Sequence, residues 1–202
     1  MVTAKLYVKP DDGEEVDVSE AIPGLDFMGD DENPNPLNAY QQLVGLDGQS
    51  LVSQSFDKNA INAKFWLHFG DWYDYKLVKH EIYKLFNSKK RLRIRTDAEP
   101  AIIKYVMAVP FEIAPFQDGA HWSQFTIAFD NPSGYKYSLA RSDNLYTYDA
   151  ELWQLGMNLP NGEDLNYHFT TTSFRVYNAS DIAINPYWQR HDLQIICQFA
   201  GN

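Results

Sequence analysis

Arg91, Arg93 and Arg95 alternate with Leu92 and Ile94 in the run RLRIR, so a strand there puts three guanidinium groups on one face. Such a row can bind carboxylates, line a groove, or face a channel through which a polyanion moves. The plain alternative is a solvated face or a set of salt-bridge donors. Trp72 and Tyr73 stand side by side just after Gly70-Asp71 and suit either core packing or an interface anchor. The five histidines, His68, His80, His121, His168 and His191, fall in no zinc-binding spacing. No GxxxxGKS phosphate loop, strand-following GxGxxG or GxSxG elbow occurs. Cys197, the single cysteine, lies in the apolar run LQIICQF without a protease signature and is expected to be a buried strand residue. Asp11-Asp12-Gly13-Glu14-Glu15 lacks the alternating oxygen ligands of a calcium loop. No spacing selects a catalytic pair of carboxylates. The sequence therefore announces no catalytic residue, no cofactor site and no metal site.

The elements that carry these residues are legible from Ile61 to Arg95. Ala63, Phe65, Leu67 and Phe69 share one strand face, and Lys64, Trp66 and His68 share the other. Gly70-Asp71 breaks this strand, and Asp71 or Asp74 is placed to cap a helix. From Asp74 to Phe86 the period becomes helical, with Tyr75, Val78, Ile82, Leu85 and Phe86 on one stripe, and Asn87-Ser88 stops it before RLRIR. Elsewhere strands are expected at 3–9, 15–18, 102–109, 122–129, 167–177 and 193–199. Asp47-Gly48 marks a hairpin within 39–57. Residues 23–38, with three prolines among acids and asparagines, read as a long exposed loop that a partner orders. Residues 138–166 read as a linker or loose arm. The overall expectation is a mainly β (α+β) fold with one flanking helix.

Bulk properties narrow the function. The chain has 202 residues, 15% of them aromatic, and a net charge of −10, which disfavours free duplex DNA or an anionic membrane as a partner for the whole surface. The absence of cysteine pairs fits a reducing compartment. The opening MVTAKLYVKPDD lacks the apolar core of a secretory leader, and no run approaches a membrane span. Charge is uneven: the segment before Asn59 is acidic, and Lys76 to Arg95 is basic. The two are either separate solvated faces or patches that meet across a subunit boundary.

The run from Phe65 to Pro100 resembles the central signature of siphophage distal tail proteins, in which a strand leads into a helix of the type DYxxLxxELYxLF. The matching positions are Asp74, Tyr75, Val78, His80-Glu81-Ile82-Tyr83, Leu85-Phe86 and the turn Glu99-Pro100. Upstream, LVGLDGQSL (Leu43 to Leu51) is similar to the family's hairpin. Downstream, WSQFTIAFDNPSGY (Trp122 to Tyr135) is similar to its closing strand. The resemblance spans about residues 40 to 140.

That resemblance implies a structural, non-enzymatic protein of the virion tail tip, made in the bacterial cytoplasm. It implies a tail-tube-like β-sandwich or barrel over residues 1–140 that forms a hexameric ring. The implied partners are the major tail tube protein on one side, and the tail-associated or tip protein and the receptor-binding apparatus or baseplate on the other. DNA is implied only as cargo through the lumen, and no membrane is implied. Arg91, Arg93, Arg95, Trp72 and Tyr73 are then candidate interface residues near the ring boundary or lumen. Residues 141–202 would be a linker and the start of a reduced or truncated galectin-like domain, with Tyr167 to Pro186 as the transition into it. The rival reading is a carbohydrate-binding β-sandwich with Trp122, Trp153, Tyr187 or Trp188 stacking on sugar. A hydrolase would need a cleft of converging carboxylates.

Overall fold

The computed structural model describes residues 4–45, 47–87, 89–141, 157, 167, 169–185 and 187. The chain divides into two compact units; the described residues up to Arg141 belong to the first, and those from 157 onward to the second.

The first unit is built from β1 (Leu6–Pro10), β2 (Val16–Asp17), α1 (Val18–Ala21), β3 (Leu25–Asn33), β4 (Pro36–Gln41), β5 (Ser50–Phe56), β6 (Asn59–His68), α2 (Trp72–Phe86), β7 (Leu92–Thr96), β8 (Ile102–Ala108), β9 (Trp122–Asn131) and β10 (Tyr137–Ser138). The main sheet runs β2-β1-β7-β8-β9-β6-β3, with β10 beside β8, and its pairs are antiparallel. A bridge between Ala4 and Phe27 brings the chain just before β1 against β3, so the sheet closes on itself. The mainly β fold with a flanking helix is thus as the sequence reads.

The interior is aromatic. Phe65 on β6 lies 5.7 Å from Phe27, 5.6 Å from Phe125 and 5.7 Å from Phe86, ring centre to ring centre. Ile61, Ala63 and Leu67 continue the same buried face, as their alternation requires. Helix α2 buries Tyr75, Ile82 and Phe86 against it. The helix starts where the sequence places a cap: the Asp71 carboxylate accepts from the Asp74 N–H at 2.8 Å, and Asp74 in turn accepts from the Gly70 N–H at 2.7 Å. The segment that follows β8 packs along the helix, with Ile113 in the core and Phe111 against Phe86 and Phe125. The Tyr75 hydroxyl and the Lys79 ammonium both donate to the Ile113 carbonyl, at 2.7 and 2.6 Å, and the Tyr83 hydroxyl donates to the Phe111 carbonyl at 3.2 Å. One glycine is obligatory. Gly24 has φ +86°, and a Cβ there would sit 2.5 Å from the His68 carbonyl oxygen, in the turn whose own carbonyl accepts from the His68 N–H.

Two expectations are corrected. Residues 23–38 are not a long loop: Leu25 to Asn33 is the nine-residue strand β3, and Pro36 opens β4. Leu25 and Phe27 fill the core on the usual alternation, but a bulge between Phe27 and Gly29 then resets the parity. Asp30 and Glu32 consequently face the same side as Ala63 and Ile61. There Lys104, almost fully buried on β8, meets Asp30 at 3.3 Å and Glu32 at 2.8 Å, and Lys136 pairs with Glu32 as well. The acids that looked like loop residues are a polar seam at one end of the barrel.

The second correction concerns 167–177. In the second unit the described residues from 169 to 177 form no strand. Phe169 and Phe174 stack on each other at 4.0 Å, and the Tyr167 hydroxyl donates to the Tyr177 carbonyl. A β-prone run becomes a strand only when another strand supplies its hydrogen bonds, and here local contacts fold it on itself. The expected strand at 193–199, with Cys197, and nearly all of the expected linker at 138–166 lie outside the described residues.

Candidate functional site

The arginine row sits on the outer face of β7, with Leu92 and Ile94 buried behind it. It is engaged within its own chain. Arg93 reaches Glu15 Oε2 at 2.7 Å, and Arg95 reaches Glu15 Oε1 at 2.8 and 2.5 Å. Arg91 lies 3.5 Å from Asp11 and over the Tyr105 ring, Arg95 lies 4.0 Å over the Tyr7 ring, and Lys90 pairs with Asp12. Burial alone would raise the Glu15 carboxyl, but the two guanidiniums outweigh it and hold it below its ordinary value. The acidic 11–15 turn and the basic 90–95 strand therefore meet inside one chain rather than only across a subunit boundary. The antiparallel β1–β7 pairing explains this, since it lays the β1–β2 turn over β7.

Trp72 and Tyr73 open α2 and are 57% and 79% exposed, so they are not core residues. Trp72 packs on Tyr75 at 5.2 Å and under the Lys76 ammonium at 4.8 Å. It borders a groove of about 260 Å³ between the start of α2 and residues 115–121, with Phe69, Asp118 and His121 on its walls. Asp71, also at its rim, is committed to the helix cap. Among the described residues no group of three or more histidine, cysteine, aspartate or glutamate side chains is placed to hold a metal ion. No helix among them is long and apolar enough to cross a membrane.

Two further surfaces stand out, and the sequence reading missed what they have in common. The first is the β4–β5 hairpin. Its ladder runs from Pro36↔Phe56 to Gln41↔Ser50, and all thirteen of its strand residues are exposed. Leu37, Tyr40, Leu51, Val52 and Phe56 are each more than half exposed. Among the described residues its base is anchored, by the Asp57 N–H donating to the Asn35 carbonyl at 3.0 Å and by the Lys58–Asp130 ion pair at 2.6 Å. Aspartate-glycine marked the turn, but the turn signal says nothing about what covers the strands.

The second is an aromatic ladder on the outer face of β6 and β9. Phe116 stacks on Trp122 at 4.2 Å, Trp122 meets Trp66 edge-on at 5.8 Å, and Trp66 stacks on His68 at 5.0 Å. The signal was present in the sequence: Trp66 and His68 alternate onto the polar face of their strand. Of the four aromatics considered for a sugar platform, Trp122 belongs to this ladder and Tyr187 is 90% exposed in the second unit. Trp153 and Trp188 lie outside the described residues.

The family model for the phage tail protein RIFT-related domain matches residues 11–131. No curated protein matches the chain. Among solved structures, the fold is similar to that of the SPP1 Dit (gp 19.1) protein, described as a paradigm of the hub adsorption apparatus in phages infecting Gram-positive bacteria. The identity is 12% and the TM-score 0.51, over 66% of this chain and 52% of that one. A chain of the phage p2 baseplate in its activated conformation is 13% identical with a TM-score of 0.47, over 64% of this chain and 44% of that one. The chain spans about half the length of the Dit structure it resembles.

Proposed function

The chain belongs to the phage tail protein RIFT-related domain family, and from that premise we propose that this structural tail protein is a distal tail hub subunit that closes into a hexameric ring with copies of itself. The observation that carries the reading is the β4–β5 hairpin. A two-stranded ribbon buries too little to be stable alone in water. Among the described residues this one pairs with no other strand and keeps its apolar side chains on show, which makes sense for a part completed by a neighbour. In this reading the tube protein binds one ring face, tip and receptor-binding proteins bind the other, and DNA passes through the lumen as cargo. Trp72, Tyr73 and the outer rim of Arg91, Arg93 and Arg95 serve as further contact points. Residues 1–140 form the ring domain, and 141–202 form a linker and a reduced galectin-like piece. The role is mechanical, and nothing in it calls for catalysis.

Size-exclusion chromatography with multi-angle light scattering on the full chain tests this. The expected mass is that of six copies of the 23.3 kDa chain. A single-copy mass that persists at the highest soluble concentration would overturn it.

A further inference from the structure

We infer that the aromatic ladder of one copy receives the β4–β5 arm of the next. The inference rests on the self-assembly just proposed and names the surface that assembly uses. The ladder lies where a half-buried sheet normally shows polar side chains, yet Trp66 is 37% exposed there and Phe116 beside it 62%. Next along β6, Lys64 has its charge matched by Asp31 at 2.6 Å. The arm is chemically matched to such a site. From Asn33 to Gly45 and from Gln49 to Phe56 it carries no charged side chain, and its only charge is Asp47 at the tip. Docking it on the ladder buries aromatic and aliphatic surface without desolvating an ion.

The chain does not make this contact with itself. The arm leaves the barrel at the Asn59 end of β6, whereas the ladder sits at the His68 end. The β6–β9 register runs from Asn59↔Asn131 to His68↔Trp122 without a shift, so the two surfaces are held apart by one straight ten-residue strand, roughly 30 Å. All of the arm's strand residues, and Trp66 and Phe116 of the ladder, stay exposed, so the arm does not cover the ladder of its own chain. A second copy has no such constraint. Because arm and ladder are different surfaces, their contact is head-to-tail, and it closes into a ring or propagates according to the angle between neighbours.

Two exposed-surface variants test this in the full chain. One replaces the ladder (Trp66→Ser with Phe116→Ser), and the other the arm (Tyr40→Ser with Leu51→Ser). Thermal unfolding followed by circular dichroism confirms that each still folds. At a concentration where the wild type assembles, each variant alone should scatter as one 23.3 kDa copy. An equimolar mixture should give a two-copy species and nothing larger, because the arm variant keeps a good ladder, the ladder variant keeps a good arm, and only one productive contact remains. A ladder variant that assembles like the wild type overturns the inference while leaving the ring intact. A mixture that stays entirely single-copy overturns it too, as does retention of the wild-type ladder on immobilised glycans with no effect of the ladder variant on mass. A wild type that never assembles defeats the ring reading itself.

Discussion

Lys104 is the residue whose position was least legible. The run IIKYVMAV reads as a strand and says nothing of where its lysine goes; the side chain is only 5% exposed and lies among Asp30, Glu32 and Glu99. A buried ammonium is tolerable only when paired, and the bulge at Met28 supplies the pair by turning Asp30 and Glu32 inward. Sequence alternation cannot see a bulge, so it cannot see the seam. Burial alone would raise the Glu32 carboxyl, but the Lys104 and Lys136 ammoniums outweigh it and hold it below its ordinary value of 4.5. A carboxyl lowered in the folded state stabilises the fold above its unfolded value, and that stability is lost as pH falls through the folded value. The melting temperature should therefore hold near neutrality and fall as pH drops below about 4.5. Glu32→Gln should lower it at about pH 7 and flatten the acid-side decline, as read by thermal unfolding across about pH 3 to 7. An unchanged acid slope in that variant would show that the seam does not carry the effect. Phe65, by contrast, was plain from the start: an aromatic at the centre of an alternating run, flanked by two more apolar residues at the same parity, has nowhere to go but the core.

Helix α2 shows why some elements declare themselves. Its cap, its apolar stripe and its stop all lie within one continuous segment, so local rules settle it. The structure extends it to Trp72 because Asp71, rather than Asp74, is the cap. Asp71→Ala should cost about 1 kcal/mol in urea unfolding, since it strands the Asp74 N–H, and Asp71→Ser should recover most of the loss. Equal stability of all three proteins would show that the cap is idle. Strand β3 failed the same local rules. The prolines at 23, 34 and 36 around it signal loop by composition, while the residues that make it a strand, those of β6, lie 27 to 42 positions later. The run from Tyr167 is the converse: it has the right residue types for a strand, and the described part has no strand to pair with.

At the scale of the whole molecule the sequence showed the barrel but not its unfinished surfaces. Periodicity reports which face of a strand is apolar; it does not report whether that face is covered within the chain. The hairpin and the ladder are both products of that blindness, and both became visible only as exposed rings and aliphatic groups. Assembly through them should respond to apolar burial and not to ion pairing. Raising salt from about 0.1 to about 1 M shortens the Debye length from ~10 to ~3 Å. The assembled mass measured by light scattering should survive that change. Dissociation in high salt would instead point to charged patches such as the β7 arginines as the glue.

The neutrality of the arm has one more consequence. The barrel's integrity is tied to the ion-paired carboxylates of Glu15 and Glu32, while the projecting ribbon carries a single charged side chain, Asp47, at its tip. Acid should therefore weaken each protomer from within, at its Glu15 and Glu32 ion pairs, and not only along the proposed seam, where His68 stands in the ladder.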